Sequence, residues 1–382
     1  MTAWMLLTGE YPPVPGGVAD YTRQVARALA GAGDVVDVWS PRAPEHERDF
    51  THDAGVTVHA LPDHFGPRSL RALSGEIGRR PGARVFVQYV PHALGMRGMN
   101  VPFCVWLAAQ RAPMWVLFHE MTFPFRAGAP LKHNVLAVMH HAMAAISSRG
   151  ADRTFVTVPG WNVVLKRALG REGEWLPVAS NAPTEVSADA AARTRASLGF
   201  TSEQLVLGHF GTFTASITQH LAPVFRALLA GDPRRVALLI GRGGQEFAAR
   251  ELGDLGTRVV ATGALDAAYG SLDAHVLAAH LASSDLVVQP YSDGVSSRRT
   301  TAMAALALGK PLLTNQGFLT EPCWRDGDVA LATDPSAESL LAASNPFLGD
   351  PVQRADLARR GLALYQRAFS LERLVRALRE TS

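Results

Sequence analysis

Trp4-Met5-Leu6-Leu7-Thr8 runs without a charge into Gly9-Glu10-Tyr11-Pro12-Pro13-Val14-Pro15-Gly16-Gly17, and a segment of helical period, Val18–Ala30, follows. An apolar strand, a proline-stiffened loop ending in two glycines, and a helix open a parallel α/β unit, because a strand covered on both faces reads as an unbroken apolar run. The same alternation continues through Val35–Trp39, Val56–Ala60, Val85–Tyr89, Trp115–Phe118, Thr154–Val158 and Trp175–Val178, with a further helical segment at His133–Ser147. After a stretch rich in Ala, Ser, Asn, Pro and Thr it restarts at Leu205–Phe210, Val236–Ile240, Val259–Thr262, Leu286–Gln289 and Pro311–Thr314. The expected plan is two Rossmann-like parallel-sheet domains facing across a cleft. Residues 1–180 form the first, 181–200 a linker and boundary, and 201–360 the second. Residues 361–382 are a C-terminal segment that packs back on the first domain, and its last element, Ser370–Arg379, is expected as a helix with Ser370 as its N-cap.

Composition agrees with two well-filled cores. Of 382 residues, 47% are hydrophobic and 19% charged, which excludes a disordered or collagen-like chain. The net charge of +3 comes almost wholly from arginine, lysine standing only at 132, 166 and 310. So small and dispersed an excess suits anionic small molecules and does not make a nucleic-acid stripe. Cys104 and Cys323 form neither a disulfide framework nor a zinc set, so a reducing compartment, the cytoplasm, is expected. The most apolar window, Val101–Phe118, carries Gln110, Arg111 and two prolines and is not read as a membrane span; the start lacks the basic region of a signal peptide.

In open parallel sheets ligands bind beyond the carboxyl ends of the strands, and that rule selects four loops. Gly16 and Gly17, at a helix start, read as an anion cradle for a phosphate or as a turn that needs positive φ. Gly241-Arg242-Gly243-Gly244-Gln245-Glu246 is not a dinucleotide fingerprint: Glu246 stands where the third glycine belongs. Pro290-Tyr291-Ser292-Asp293-Gly294-Val295-Ser296-Ser297-Arg298-Arg299-Thr300-Thr301 leads into a helix expected from near Ser297 to Leu308, with Ser296 or Ser297 as cap. Two arginines in a first helical turn oppose the helix dipole by about 0.3–1 kcal/mol each. A bound diphosphate would reverse that sign; pairing with Asp293 is the plain alternative. The fourth loop is His119-Glu120, with His119 to hydrogen-bond a reacting sugar and Glu120 to orient it or act as a base.

Together these pieces resemble the retaining nucleotide-sugar glycosyltransferases of family 4, with the GT-B fold. The resemblance rests on the Glu-Tyr-Pro-Pro loop with Gly16-Gly17-Val18, on Gln88-Tyr89-Val90-Pro91-His92 and on His119-Glu120. It continues through Pro177-Val178-Ala179-Ser180-Asn181, Gly208-His209-Phe210-Gly211-Thr212, Gly241-Arg242-Gly243, Thr262-Gly263, and Asp293-Gly294 with Leu306-Ala307-Leu308-Gly309-Lys310-Pro311. It implies transfer of a sugar from a UDP- or GDP-type donor, without a metal or other cofactor, to a small-molecule, glycan or lipid-linked acceptor. A peripheral membrane contact and the oligomeric state stay open. Donor and phosphate contacts are expected from Gly16, Gly17, Gly211, Thr212, Arg242, Gly243, Asp293, Gly294, Ser296, Ser297, Arg298, Arg299 and Thr300. Acceptor contacts are expected from Asp20, Tyr21, Tyr89 and His92, and catalytic roles from His119 and Glu120.

Two departures from the family pattern stand out. Counting back from Gly309 puts Ser296 and Ala304 where the family has Glu-x7-Glu, although Asp293 with Thr301 keeps the eight-residue spacing. The Arg and Lys that follow the first strand of the second lobe are absent from Gly211–Gln219. Arg298 and Arg299 are expected to take over their charge. Two other readings stay open: a catalytically silent sugar-nucleotide-binding protein, and a nucleotide-sugar epimerase of the same fold.

Overall fold

A computed structural model describes residues 1–14, 16–42, 50–122, 125, 128, 130–262 and 274–380; Pro15 and Gly263, named above, lie outside them. The chain divides into two compact units, Met1–Pro177 with the stretch from Leu374 on, and Val178–Arg373.

The first unit is built on an eight-stranded sheet. Its strands are β1 (Ala3–Thr8), β2 (Val35–Pro41), β3 (Phe50–Asp53), β4 (Val56–Leu61), β5 (Arg84–Tyr89), β6 (Met114–Phe118), β7 (Arg153–Val156) and β8 (Glu174–Trp175). Their order is β3-β4-β2-β1-β5-β6-β7-β8, and only the β3–β4 pairing is antiparallel. The central strands are buried along their length, with Met5, Leu7, Val85, Val87, Val116 and Phe118 in one hydrophobic cluster. The second unit holds a parallel six-stranded sheet of order β11-β10-β9-β12-β13-β14. These strands are β9 (Leu205–Phe210), β10 (Arg235–Ile240), β11 (Val259–Thr262), β12 (Leu286–Gln289), β13 (Leu312–Asn315) and β14 (Ala330–Ala332). Leu207, Leu239, Val288 and Leu313 fill its core with Phe225 and Leu228 from the Ala215–Ala230 helix.

Strand order reverses once in each sheet. β1 lies between β2 and β5, and β9 between β10 and β12. The loops leaving the carboxyl ends of neighbouring strands diverge there to opposite faces, which opens a crevice and places the ligand sites of such folds.

Three boundaries differ from expectation. The units part between Pro177 and Val178, ahead of the stretch read as a linker. That stretch belongs to the second unit: its Ala188–Ser197 helix, capped by Ser187, docks through Arg195, whose Nη1 donates to Asp285 Oδ2 (2.9 Å). Residue 361 lies inside a helix, Pro351–Leu364, and the break falls at Ser370 after a π-helical turn. The final helix, Leu371–Arg379, starts where the Ser370 Oγ accepts from the Arg373 amide. Leu378 is buried, its carbonyl accepts from Arg84 Nη1 (3.1 Å), and Arg379 pairs with Asp34 at 3.2 Å. Among the described residues no helix is long and apolar enough to cross a membrane.

Candidate active site

At the reversal point of the first sheet, the loop after β1 turns back so that Glu10 faces the start of the Gly17–Gly31 helix. Glu10 Oε1 accepts from the Ala19 amide (3.2 Å). A β-carbon on Gly16 would overlap that carboxylate, so glycine is needed there for its close approach. The terminus expected to cradle a phosphate at Gly16 and Gly17 is therefore filled by the chain's own anion. Burial pushes the Glu10 carboxyl up, against the amides of Ala19 and Val18 that pull it down. Asp20, in the first turn, is 5% exposed. Burial raises it to about 6, with Arg23 at 3.7 Å opposing and Glu10 adding to the rise.

His119, just past β6, is buried, and its amide donates to the Tyr89 carbonyl (3.1 Å). Its Nε2 donates to Gln88 Oε1 (2.8 Å), and the Tyr21 ring meets it edge-on with centroids 4.9 Å apart. Burial lowers its pKa to about 3, so the ring is neutral around pH 7. The side chain that orients His119 is thus Gln88. Glu120 lies on the exposed bend beyond. Asp20, Tyr21 and His119 gather here. Tyr89 does not: it is a core residue, fully buried with its ring 4.6 Å from that of Phe118. His92 is exposed on the Pro91–Leu94 turn, with its ring 5.0 Å from that of His140.

At the reversal point of the second sheet, the loops after β9, β10 and β12 form one chain of contacts. Gly241 (φ 132°) packs so closely on the Gly211 carbonyl that a β-carbon would overlap it. A β-carbon on Gly211 (φ 149°) would in turn lie 3.4 Å from the Thr301 methyl. Thr301 Oγ1 hydrogen-bonds the Tyr291 hydroxyl (2.8 Å), and the Arg299 guanidinium lies 4.5 Å from the Tyr291 ring centre. Arg298 Nη2 donates to Asp293 Oδ2 (2.5 Å), and Arg299 Nη2 donates to Oδ1 of the same carboxylate. Burial would raise Asp293, but Arg299 and Arg298 hold it below its usual range. Both arginines keep about a quarter of their side-chain surface exposed. Two guanidiniums thus share one carboxylate where the Thr300–Ala307 helix begins. Thr212 leads from Gly211 toward the Ala215–Ala230 helix; Arg242 is exposed, and Gly243 (φ 82°) opens the Gly244–Glu251 helix.

The helix starts three residues later than expected, because Ser297 is engaged elsewhere. Its amide donates to both oxygens of Glu321 (3.0 and 3.2 Å) and its hydroxyl to Oε1. Glu321 also accepts from Trp324 Nε1 (2.9 Å), and burial raises its pKa. Gly294 (φ 83°) packs backbone to backbone on Gly317. Ser296 and Ser297 are fully buried. Ser297 and Gly294 hold the loop, while the Ser296 hydroxyl has no hydrogen-bond partner among the described residues.

Several residues went unread in the sequence. Ser292 Oγ donates to the Ser216 carbonyl (2.8 Å) and hydrogen-bonds His220 Nε2 (3.0 Å), tying the loop to the Ala215–Ala230 helix. His209, on β9, is buried; its Nδ1 donates to the Val288 carbonyl (2.9 Å), and its Nε2 has no partner among the described residues. Burial lowers it to about 4, which leaves Nε2 a neutral acceptor beside Gly211. The rule that singled out the four loops would have found Glu321 had it been applied to the loop after β13.

The glycosyl transferase 4-like domain family matches residues 16–179. The chain has the GT-B fold. Solved structures show the same architecture over the whole length of this chain. Sucrose-phosphate synthase from Thermosynechococcus elongatus is 19% identical, with a TM-score of 0.75 over 99% of this chain and 97% of that one. HepE of Anabaena, solved with UDP and glucose, is 17% identical, with a TM-score of 0.68 over 100% and 99%. WaaG, a glycosyltransferase involved in lipopolysaccharide biosynthesis, is 15% identical, with a TM-score of 0.63 over 99% and 100%. No curated protein sequence matches the chain significantly. Among its described residues, no three His, Cys, Asp or Glu side chains are grouped to hold a metal ion.

Proposed function

We propose that the carboxy-terminal unit binds a nucleoside diphosphate sugar and that the chain transfers the sugar, with retention and without a metal, to a hydroxylated acceptor held by the amino-terminal unit. The observation that carries the reading is the pair Arg298 and Arg299, held by one carboxylate at the reversal point between β9 and β12. Two guanidiniums that share a carboxylate and stay partly open to solvent suit a diphosphate, since charge-assisted forks match phosphate oxygens in geometry and sign. They stand in for the Arg and Lys missing from Gly211–Gln219. Thr301, eight residues after Asp293, offers a hydroxyl that already hydrogen-bonds Tyr291, and His209 Nε2 offers an acceptor for a donor hydroxyl. Uridine is the base to try first, because HepE was solved with UDP-glucose at 17% identity.

In the proposed step the bond from the anomeric carbon to the diphosphate oxygen breaks as the acceptor oxygen bonds to the same face. The acceptor proton passes to the departing phosphate oxygen. Arg298 and Arg299 stabilise the charge that develops there, which is electrostatic preorganisation rather than covalent catalysis. His119, neutral and anchored by Gln88, hydrogen-bonds a sugar hydroxyl.

The test is titration calorimetry with UDP-glucose. A charge-assisted hydrogen bond contributes about 1.5–3 kcal/mol, so R298A and R299A should each raise Kd by roughly 10- to 150-fold. A Kd unchanged in both variants refutes the reading.

A further inference from the structure

The terminus of the Gly17–Gly31 helix bears on which acceptor the proposed transferase takes, and the inference rests on that reading of the chain. Glu10 fills the place an incoming phosphate would need. Glu10 and Asp20 repel each other, and Glu120 acts on Glu10 with the same sign. Against them stands Arg23, 3.7 Å from Asp20 and on the next turn of the same helix. A phosphate ester brought here would meet carboxylates where it needs amides and cations. Independently, two deeply buried polar atoms have no partner among the described residues: Gln88 Nε2, on a residue 1% exposed, and the Tyr21 hydroxyl, on a residue 2% exposed. Both side chains converge on His119, Gln88 at its Nε2 and Tyr21 on its ring. Polar groups so deep are nearly always paired. An amide N–H and a phenol are met by hydroxyl oxygens, and carboxylates accept hydroxyl protons. We propose that the amino-terminal unit takes an uncharged, polyhydroxylated acceptor, and that Glu10 excludes phosphorylated ones by occupying the helix terminus itself.

The test uses the full chain carrying R298A and R299A, so that the other candidate phosphate site is disabled, with and without E10A. Inorganic phosphate is titrated by thermal shift. Glucose and glucose 6-phosphate are compared by saturation-transfer NMR. With Glu10 present, phosphate should give no shift and glucose 6-phosphate no saturation transfer. Adding E10A should make both appear, phosphate binding tightening by roughly tenfold or more as the amides are freed and a like charge is removed. Should E10A fail to give the parent circular dichroism, E10S is read by the same criteria. Equal phosphate binding with and without Glu10 overturns the proposal. So does an unmutated chain that uses a phosphate ester in preference to its parent alcohol. Failure of UDP-glucose to bind the unmutated chain would strike the donor reading instead, and the phosphate comparison would still decide the role of Glu10.

Discussion

Replacing Asp20 by Asn should stabilise the protein, and by more at higher pH. Folding buries this carboxyl to 5% exposure beside Glu10 and raises its pKa from 3.8 to about 6. A group whose pKa rises on folding favours the folded state while protonated, and that contribution is lost as the pH climbs through the folded value. The displacement of about two units corresponds to roughly 3 kcal/mol once ionisation is complete. At about pH 5, where the folded carboxyl is still mostly protonated, the loss is roughly 1.5 kcal/mol; by about pH 8 it reaches the full value. Asn keeps the shape, cannot ionise, and gives up an Arg23 pair 3.7 Å apart, which is worth little at such a separation. D20N should therefore gain about 1.5 kcal/mol over the unmutated chain near pH 5 and about 3 kcal/mol near pH 8, a rise in Tm of roughly 6–12 °C at the higher pH. Urea unfolding at the two pH values, followed by tryptophan fluorescence, measures both. A gap that does not grow with pH, or a variant less stable near pH 8, would show that Asp20 is not held ionised against burial. Transfer by D20N should fall even as stability rises, since a carboxylate kept at such cost is kept for use.

Other consequences can be checked separately. Removing Glu321 strips partners from the Ser297 amide and hydroxyl and from Trp324, so E321A should cost about 3 kcal/mol or more in chemical unfolding and weaken UDP-glucose binding through the loosened loop. Because His119 is held neutral at about 3, rates between about pH 5 and pH 8 should show no inflection from it, and H119N should keep more activity than H119A. An inflection present in the unmutated enzyme and lost in H119N would contradict this. Gly241→Ala would drive a β-carbon into the Gly211 carbonyl at a positive φ; a drop in Tm together with weaker UDP-glucose binding is expected, and a silent substitution would disprove the packing of the two loops.

The central strands were legible because burial on both faces leaves an uninterrupted apolar run, as at Leu205–Phe210 and Val85–Tyr89. Of the edge strands, β11 was legible at Val259–Thr262, but β3 and β14 were not. β3 reads Phe-Thr-His-Asp and pairs antiparallel with one neighbour, and β14 is three residues long. A short edge strand has one ladder and little core to face, so its sequence carries little apolar signal. The late start of the Thr300–Ala307 helix was hidden for a different reason. Ser296-Ser297 has the residue types of a cap, but Glu321, 24 residues on, takes the Ser297 donors first. Capping signals are local, and a carboxylate arriving from another loop leaves no trace in the window where the cap is read.

The same reasoning separates the two places where phosphate was expected. Both carry a carboxylate from their own chain, yet its neighbours differ. At Asp293 two guanidiniums share the acid and hold its pKa down against burial. At Glu10 and Asp20 burial first, and the like charge of a neighbouring acid after it, raises both carboxyls, with Arg23 3.7 Å from Asp20 in opposition. In the first case a diphosphate can displace or share the acid and end with better pairing than before. In the second it would have to expel one anion and sit beside another. Glycine pairs and helix starts of nearly equal quality in sequence thus acquire opposite affinities through residues that only the fold brings to them.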